Sequence, residues 1–156
     1  MAASAWAFFN KAKKLLSQSA SGIRLDGGTT FKISLHTSAS NLGTSASARV
    51  LSTMAGIGGE ITAAGGYVAG GDALTGVVWT LQGDPASIKW DATDVVFTAS
   101  GANLSGIQFA VIHMSAGGAA SGYPICWSEL STSPFSVTSG NTLTIQFAAA
   151  GIFTLT

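Results

Sequence analysis

Two histidines, one cysteine and a short run of aspartates are the residues of this chain best equipped for chemistry. An imidazole titrating near neutrality can move protons or hold a metal, a thiolate can attack or ligate, and three carboxylates around a turn can hold calcium. Their placement argues against each use. His36 and His113 have no metal-ligand spacing to each other or to Cys126. His36 falls on the outward face of an alternating strand and His113 at the end of an apolar one, so both read as structural histidines. Cys126 lies between Ile125 and Trp127, which makes it a small buried apolar residue, and a lone cysteine forms no internal disulfide. Asp84, Asp91 and Asp94 lack the D-x-D-x-D-G pattern and read as turn and strand-edge groups. The serines form no G-x-S-x-G elbow, and the glycines of 55–76 form neither a phosphate loop nor a dinucleotide fingerprint. The expectation is a chain with no catalytic residue, no cofactor and no metal, and therefore not an enzyme.

The elements that would position these residues are mostly strands. GIQFAVIHM at 106–114 is β-branched, aromatic and bounded by Gly101 and Gly117-Gly118. A run of this length reads as a buried strand with both faces covered, in the middle of a sheet. FKISLHT at 31–37 alternates, with Phe31, Ile33, Leu35 and Thr37 inward and Lys32, Ser34 and His36 outward. Further strands are expected at 74–82, 87–90, 94–99, 123–130, 135–139, 142–148 and 152–156, with Pro124 marking an edge or bulge. Asp26-Gly27-Gly28, Gly83-Asp84-Pro85, Ser100-Gly101 and Ser139-Gly140-Asn141 signal turns. Val50–Met54 fits a short strand or a helical turn equally well, and Tyr67 and Val68 stand out as the apolar pins of the glycine-rich loop. Short strands at regular spacing predict a mainly β chain, an antiparallel β-sandwich or jelly roll over 31–156, in one domain spanning 1–156.

One amphipathic helix is expected at 4–18, capped by Ser4. Phe8, Phe9, Ala12, Leu15 and Leu16 share one arc, Lys11 and Lys14 lie opposite, and Trp6 falls off the arc near Lys13. The helix could simply pack on its own sheet. It could also be a docking arm, with Trp6, Phe9 and Lys13 as an inter-subunit contact, since large aromatics often dominate interfaces.

Charge narrows the function classes. Only 9% of the 156 residues are charged and the net charge is zero, against a usual charged share of about 25%. Ser, Thr, Ala and Gly take the place of the missing charge. Such a surface fits burial against neighbours in an oligomer or lattice. No basic patch beyond the N-terminal lysines invites nucleic acid. The N-terminal apolar stretch precedes its lysines and is too short to span a bilayer, so neither export nor a membrane is expected.

The segments WAFFNKAKK, FKISLHTSAS, AAGGYVAGGDALTGVVW, IKWDATDVVFTASG, IQFAVIH and GNTLTIQFAAAGIFTLT, taken in order along almost the whole chain, resemble a group of small tailed-phage structural proteins. The specificity lies in the ordered set, since no single segment is chemically diagnostic. The resemblance implies a virion protein made in the host cytoplasm. It would be a capsid decoration (cement) protein bound to the major capsid protein or other virion proteins, or a minor tail or fibre-associated protein. A small homo-oligomer, with a trimer favoured, is the expected form. In the tail reading, Trp79, Trp90, Trp127 or Tyr67 would line a sugar site.

Overall fold

The computed structural model describes residues 5–17, 24–26, 30–43, 50–82, 87–115 and 122–155. Among them the fold is mainly antiparallel β. The principal sheet has five strands: β1 (Ala7–Phe8), β9 (Gly122–Glu129), β8 (Phe109–Ser115), β2 (Phe31–His36) and β3 (Asp72–Ala73), in the order β1-β9-β8-β2-β3. A three-stranded sheet runs β12 (Phe153–Leu155), β5 (Ser87–Asp91), β4 (Val78–Gln82). Two ribbons pair β10 (Phe135–Val137) with β7 (Leu104–Ile107), and β11 (Thr142–Ile145) with β6 (Val95–Thr98). The helices are α1 (Asn10–Leu16) and α2 (Met54–Ile57).

The apolar run at 106–114 does lie at the middle of a sheet, but it serves two strands. Its first residues belong to β7 and the rest to β8, which pairs with β2 from Phe31↔Met114 to His36↔Phe109 and with β9 on its other side. Gln108 sits at the join. Its N–H donates to the His36 carbonyl at 2.9 Å and its carbonyl accepts from Leu130 N–H at 2.8 Å, so the break leaves that peptide satisfied. Alternation alone could not reveal the break, because both halves are apolar. Pro124 behaves as its chemistry requires: it lies beyond the reach of β1 on β9, opposite His113, where the β8–β9 register shifts.

The expected helix is shortened at its start. Residues 7–8 are extended and pair with Trp127 and Cys126 at the edge of the main sheet. Phe9 N–H donates to the Ile125 carbonyl at 3.1 Å, and Phe9 itself is the extended cap of α1, with no side-chain cap bond. Aromatic residues are poor helix formers, and an open sheet edge offered their amides better partners. Lys13 and Lys14 stand in the last turn, where the helix dipole favours cations. Ser4 and residue 18, the expected ends, lie outside the described residues.

Phe9 is fully buried in the core of its own chain, so it cannot serve as the exposed docking residue expected of it. Trp6 is partly buried and packs against Phe147, ring centroids 5.8 Å apart. Trp6→Ala should therefore lower stability by about 1–2 kcal/mol in urea unfolding, and Phe9→Ala by about 3–5 kcal/mol. The reverse order would remove Phe9 from the core.

Two other expectations change and one open alternative is decided. The strand at 74–82 starts only at Val78, because the chain bends at Gly76 after Leu74 has been drawn onto β2 by its N–H bond to the Phe31 carbonyl. The undecided stretch before Met54 caps a helical turn, with Thr53 Oγ1 accepting from Gly56 N–H. Ser34 and His36 are buried rather than outward. The segment from Gly58 to Gly71 bonds along the free edge of β2 and meets that face through the Gly58 and Gly70 carbonyls, so a strand that alternates in sequence is buried on both sides.

Candidate binding cleft

The smaller sheet is amphipathic across its strands. Cross-strand register puts Trp79, Trp90 and Phe153 in one row and Leu81, Ile88 and Leu155 in the next, all on one face. Val78 and Asp91, and Thr80, Lys89 and Thr154, fall on the opposite face. The apolar face is covered at one end only. Trp90 is fully buried, stacks edge-on against Phe31 of the main sheet at 5.1 Å, and donates Nε1–H to the Leu25 carbonyl at 3.1 Å. At the other end Leu81 is 73% and Leu155 54% exposed.

Between this face and α1 lies a cleft of about 660 Å³. Phe8, Leu16, Leu25, Trp79, Phe153 and Leu155 form its apolar walls, and Lys13, Ser17, Arg24 and Asp26 add polar groups. Phe153 is its pivot, meeting Phe8 edge-on at 4.4 Å and Trp79 at 5.6 Å. Arg24 and Asp26 pair at 2.9 Å, and that contact raises the guanidinium pKa further. Both side chains are well exposed, so the pair adds little stability. The cleft holds a compact apolar group beside one cation and one ion pair, within the usual size range of ligand pockets. Among the described residues that line it there is no nucleophile–base pair.

The two histidines, with Glu60 and Tyr67, lie elsewhere, in a buried latch between the 58–71 segment and the main sheet. A carbonyl only accepts, so His36 Nδ1–H donates to the Gly58 carbonyl at 2.8 Å, and its Nε2 accepts from Ser34 Oγ–H at 2.9 Å. Glu60 Oε1 accepts from Tyr67 Oη–H and from Gly70 N–H, both at 2.6 Å, and Tyr67 Oη accepts from Leu35 N–H at 3.2 Å. His113 Nε2–H donates to the Gly70 carbonyl at 3.1 Å. Desolvation pushes both imidazoles below their ordinary pKa, against the opposing pull of carbonyl contacts and Glu60. Burial, then Glu60, hold the Tyr67 phenol far above its usual range, so it stays a donor. Ser34 and His36 touch as a nucleophile and base would, but both are buried and the outer imidazole nitrogen is tied to a backbone carbonyl rather than a carboxylate. The arrangement anchors a loop.

The structure thus separates the residues singled out in the sequence. Lys13 lines the cleft, Trp6 packs on Phe147, and Phe9 is in the core, so the three do not form one exposed surface. Of the aromatics suggested for a sugar site, Trp79 alone lines the cleft; Trp90, Trp127 and Tyr67 are buried. Val68 is exposed, leaving Tyr67 as the single pin of its loop. Asp91 pairs with Lys89 at 3.0 Å and accepts from Ala92 N–H, and Asp94 accepts from Phe147 N–H, whereas Asp84 lies outside the described residues. Among the described residues no cluster of three metal-ligating side chains occurs, and no helix is long and apolar enough to cross a membrane. The cleft was missed because Phe8, Trp79 and Phe153 are far apart in sequence. The apolar alternation of Trp79 with Leu81 and Phe153 with Leu155 was its available signal. No family model, curated protein or solved structure matches this chain.

Proposed function

We propose that this chain is a non-enzymatic structural subunit of a tailed-phage virion, a capsid decoration protein that binds and braces the head shell as a small oligomer. The observation that carries the reading is the half-covered apolar face of the β12-β5-β4 sheet, ending in exposed Leu81 and Leu155 on a chain with no net charge. A surface of this kind favours a covering neighbour. Short polar side chains lose little rotamer freedom when covered, and repeated modest contacts on a lattice add up to firm attachment. The edge-on contact of Phe31 with Trp90 brings the three-stranded sheet onto the main one and supports a sandwich-like layering. Its partners are the major capsid protein or other virion proteins, with neither nucleic acid nor a membrane assigned.

The test is to purify the phage particles that carry this protein and count its copies against the major shell protein, with its position read from an electron-microscopy map. Copies comparable to the shell protein and density on the head are expected. Absence from the particle overturns the reading. The second reading, a minor tail or fibre-associated protein aiding host attachment, is favoured by the cleft, where Trp79 offers an aromatic face beside Arg24 and Asp26. It is distinguished by few copies, all on the tail.

A further inference from the structure

The geometry points to β4 as the contact between two copies of this chain, joined edge to edge by antiparallel pairing about a two-fold axis through Thr80. The pairing deepens the assembly reading above by naming its surface, but stands on the edge strand itself.

β4 lies at an open edge of its sheet and is the longest edge strand among the described residues. Folded proteins protect such edges by shortness, charge or proline. The edges of the main sheet, β1 and β3, have two residues each, and β12 has three, with Phe153 packed on Phe8. β4 has five residues, Val-Trp-Thr-Leu-Gln, without charge or proline.

Its side chains also select a partner. A two-fold axis normal to the sheet keeps the apolar faces of both copies on one side, which requires that residues on the same face oppose one another. Among such registers only the one centred on Thr80 pairs all five residues. It sets Leu81 against the Trp79 of the second copy, Thr80 against itself and Val78 against Gln82. Leu81, 73% exposed in one chain, gains an indole across the strand pair, a favourable combination of aromatic and aliphatic groups. The two apolar faces then form one surface across a six-stranded sheet. The zero net charge offers no repulsion between copies. The symmetry is two-fold rather than three-fold.

Light scattering on the full chain at micromolar concentration should give a dimer. Leu81→Lys, at an exposed position, should fold normally and weaken the dimer by about tenfold or more. Register is read by cross-linking with diamide, which takes two electrons and two protons from a pair of thiols as the disulfide forms. Thr80→Cys should link readily, because opposed Cα atoms lie about 4.5–5.5 Å apart, within disulfide reach. Val78→Cys should not, because its equivalent lies four residues along the strand, about 13 Å away. Cys126 does not compete: it is fully buried, and burial raises its pKa well above the ordinary value. A monomeric chain overturns the pairing, as does equal linking of both variants or a trimer that survives Leu81→Lys. If Leu81→Lys misfolds, the two cysteine variants decide alone. A β4-linked dimer missing from particles would overturn the virion role and leave the pairing intact.

Discussion

Gly71→Ala is expected to lower stability by about 3 kcal/mol or more, beyond the common range of point substitutions. Gly71 has φ +72°, in the left-handed region, and an added methyl would overlap the Ile33 carbonyl oxygen on β2. The neighbour is backbone in the principal sheet, so it cannot swing aside as a side-chain tip could. Either β2 shifts against β8, or the Gly58–Gly71 segment lifts and exposes His36, Tyr67 and Ile33. Gly101→Ala is the control. Its φ is +76°, but nothing lies within 4 Å of the added methyl, so only the backbone strain of about 1–2 kcal/mol applies. Thermal melts should show Gly71→Ala falling by about 10 °C or more and Gly101→Ala by about 3–7 °C. Equal shifts would mean that strain alone matters and that the close approach to β2 is relieved at little cost.

Acidification is expected to loosen the same latch. In the folded chain both imidazoles are held below their ordinary pKa of 6.5, with desolvation the largest cause. In the unfolded chain they return to that value. The stability they confer is therefore complete above about pH 6.5 and is lost as pH falls from there towards the lower folded values. Each proton taken up preferentially by the unfolded chain changes stability by at most about 1.4 kcal/mol per pH unit. His113 carries the firmer case. Its Nε2–H is committed to Gly70, and its Nδ1 is buried with no well-formed hydrogen bond among the described residues; the Met114 backbone and Glu60 favour a proton there and Lys32 opposes one. His36 can be served by reorienting the Ser34 hydroxyl, which already touches its Nε2. Urea unfolding between pH 7.5 and 5 should thus steepen below about 6.5. His113→Gln, whose amide can still donate towards Gly70, should flatten that slope by up to about 1.4 kcal/mol per pH unit. An unchanged slope in His113→Gln would assign the acid sensitivity to other groups.

What could be read from the sequence depended on whether a residue's environment was local. β2, β8, β9 and β11 show their apolar positions in the chain itself, and the β character of the molecule follows from them. His36 could not be placed correctly, because strand alternation reports two faces but not what covers them. Its cover comes from Gly58 and Glu60, more than twenty residues later. α1 lost its first turns for a similar reason: the helical wheel of Phe8 and Phe9 is sound, but a free edge of β9 competed for the same amides. The cleft was hidden because it is assembled from α1, β4 and β12, whose walls are set by tertiary neighbours.

The pairing of β2 with β8 has a consequence for how the molecule is made. Ile33 meets Ile112, and Phe31 meets Met114, residues half a chain length apart. Loop closure over that span precedes any reward from the ladder. On the ribosome, β2 emerges early and waits with its apolar residues uncovered until β8 and then β9 are synthesised. The nascent chain therefore carries its greatest aggregation hazard before its own centre exists.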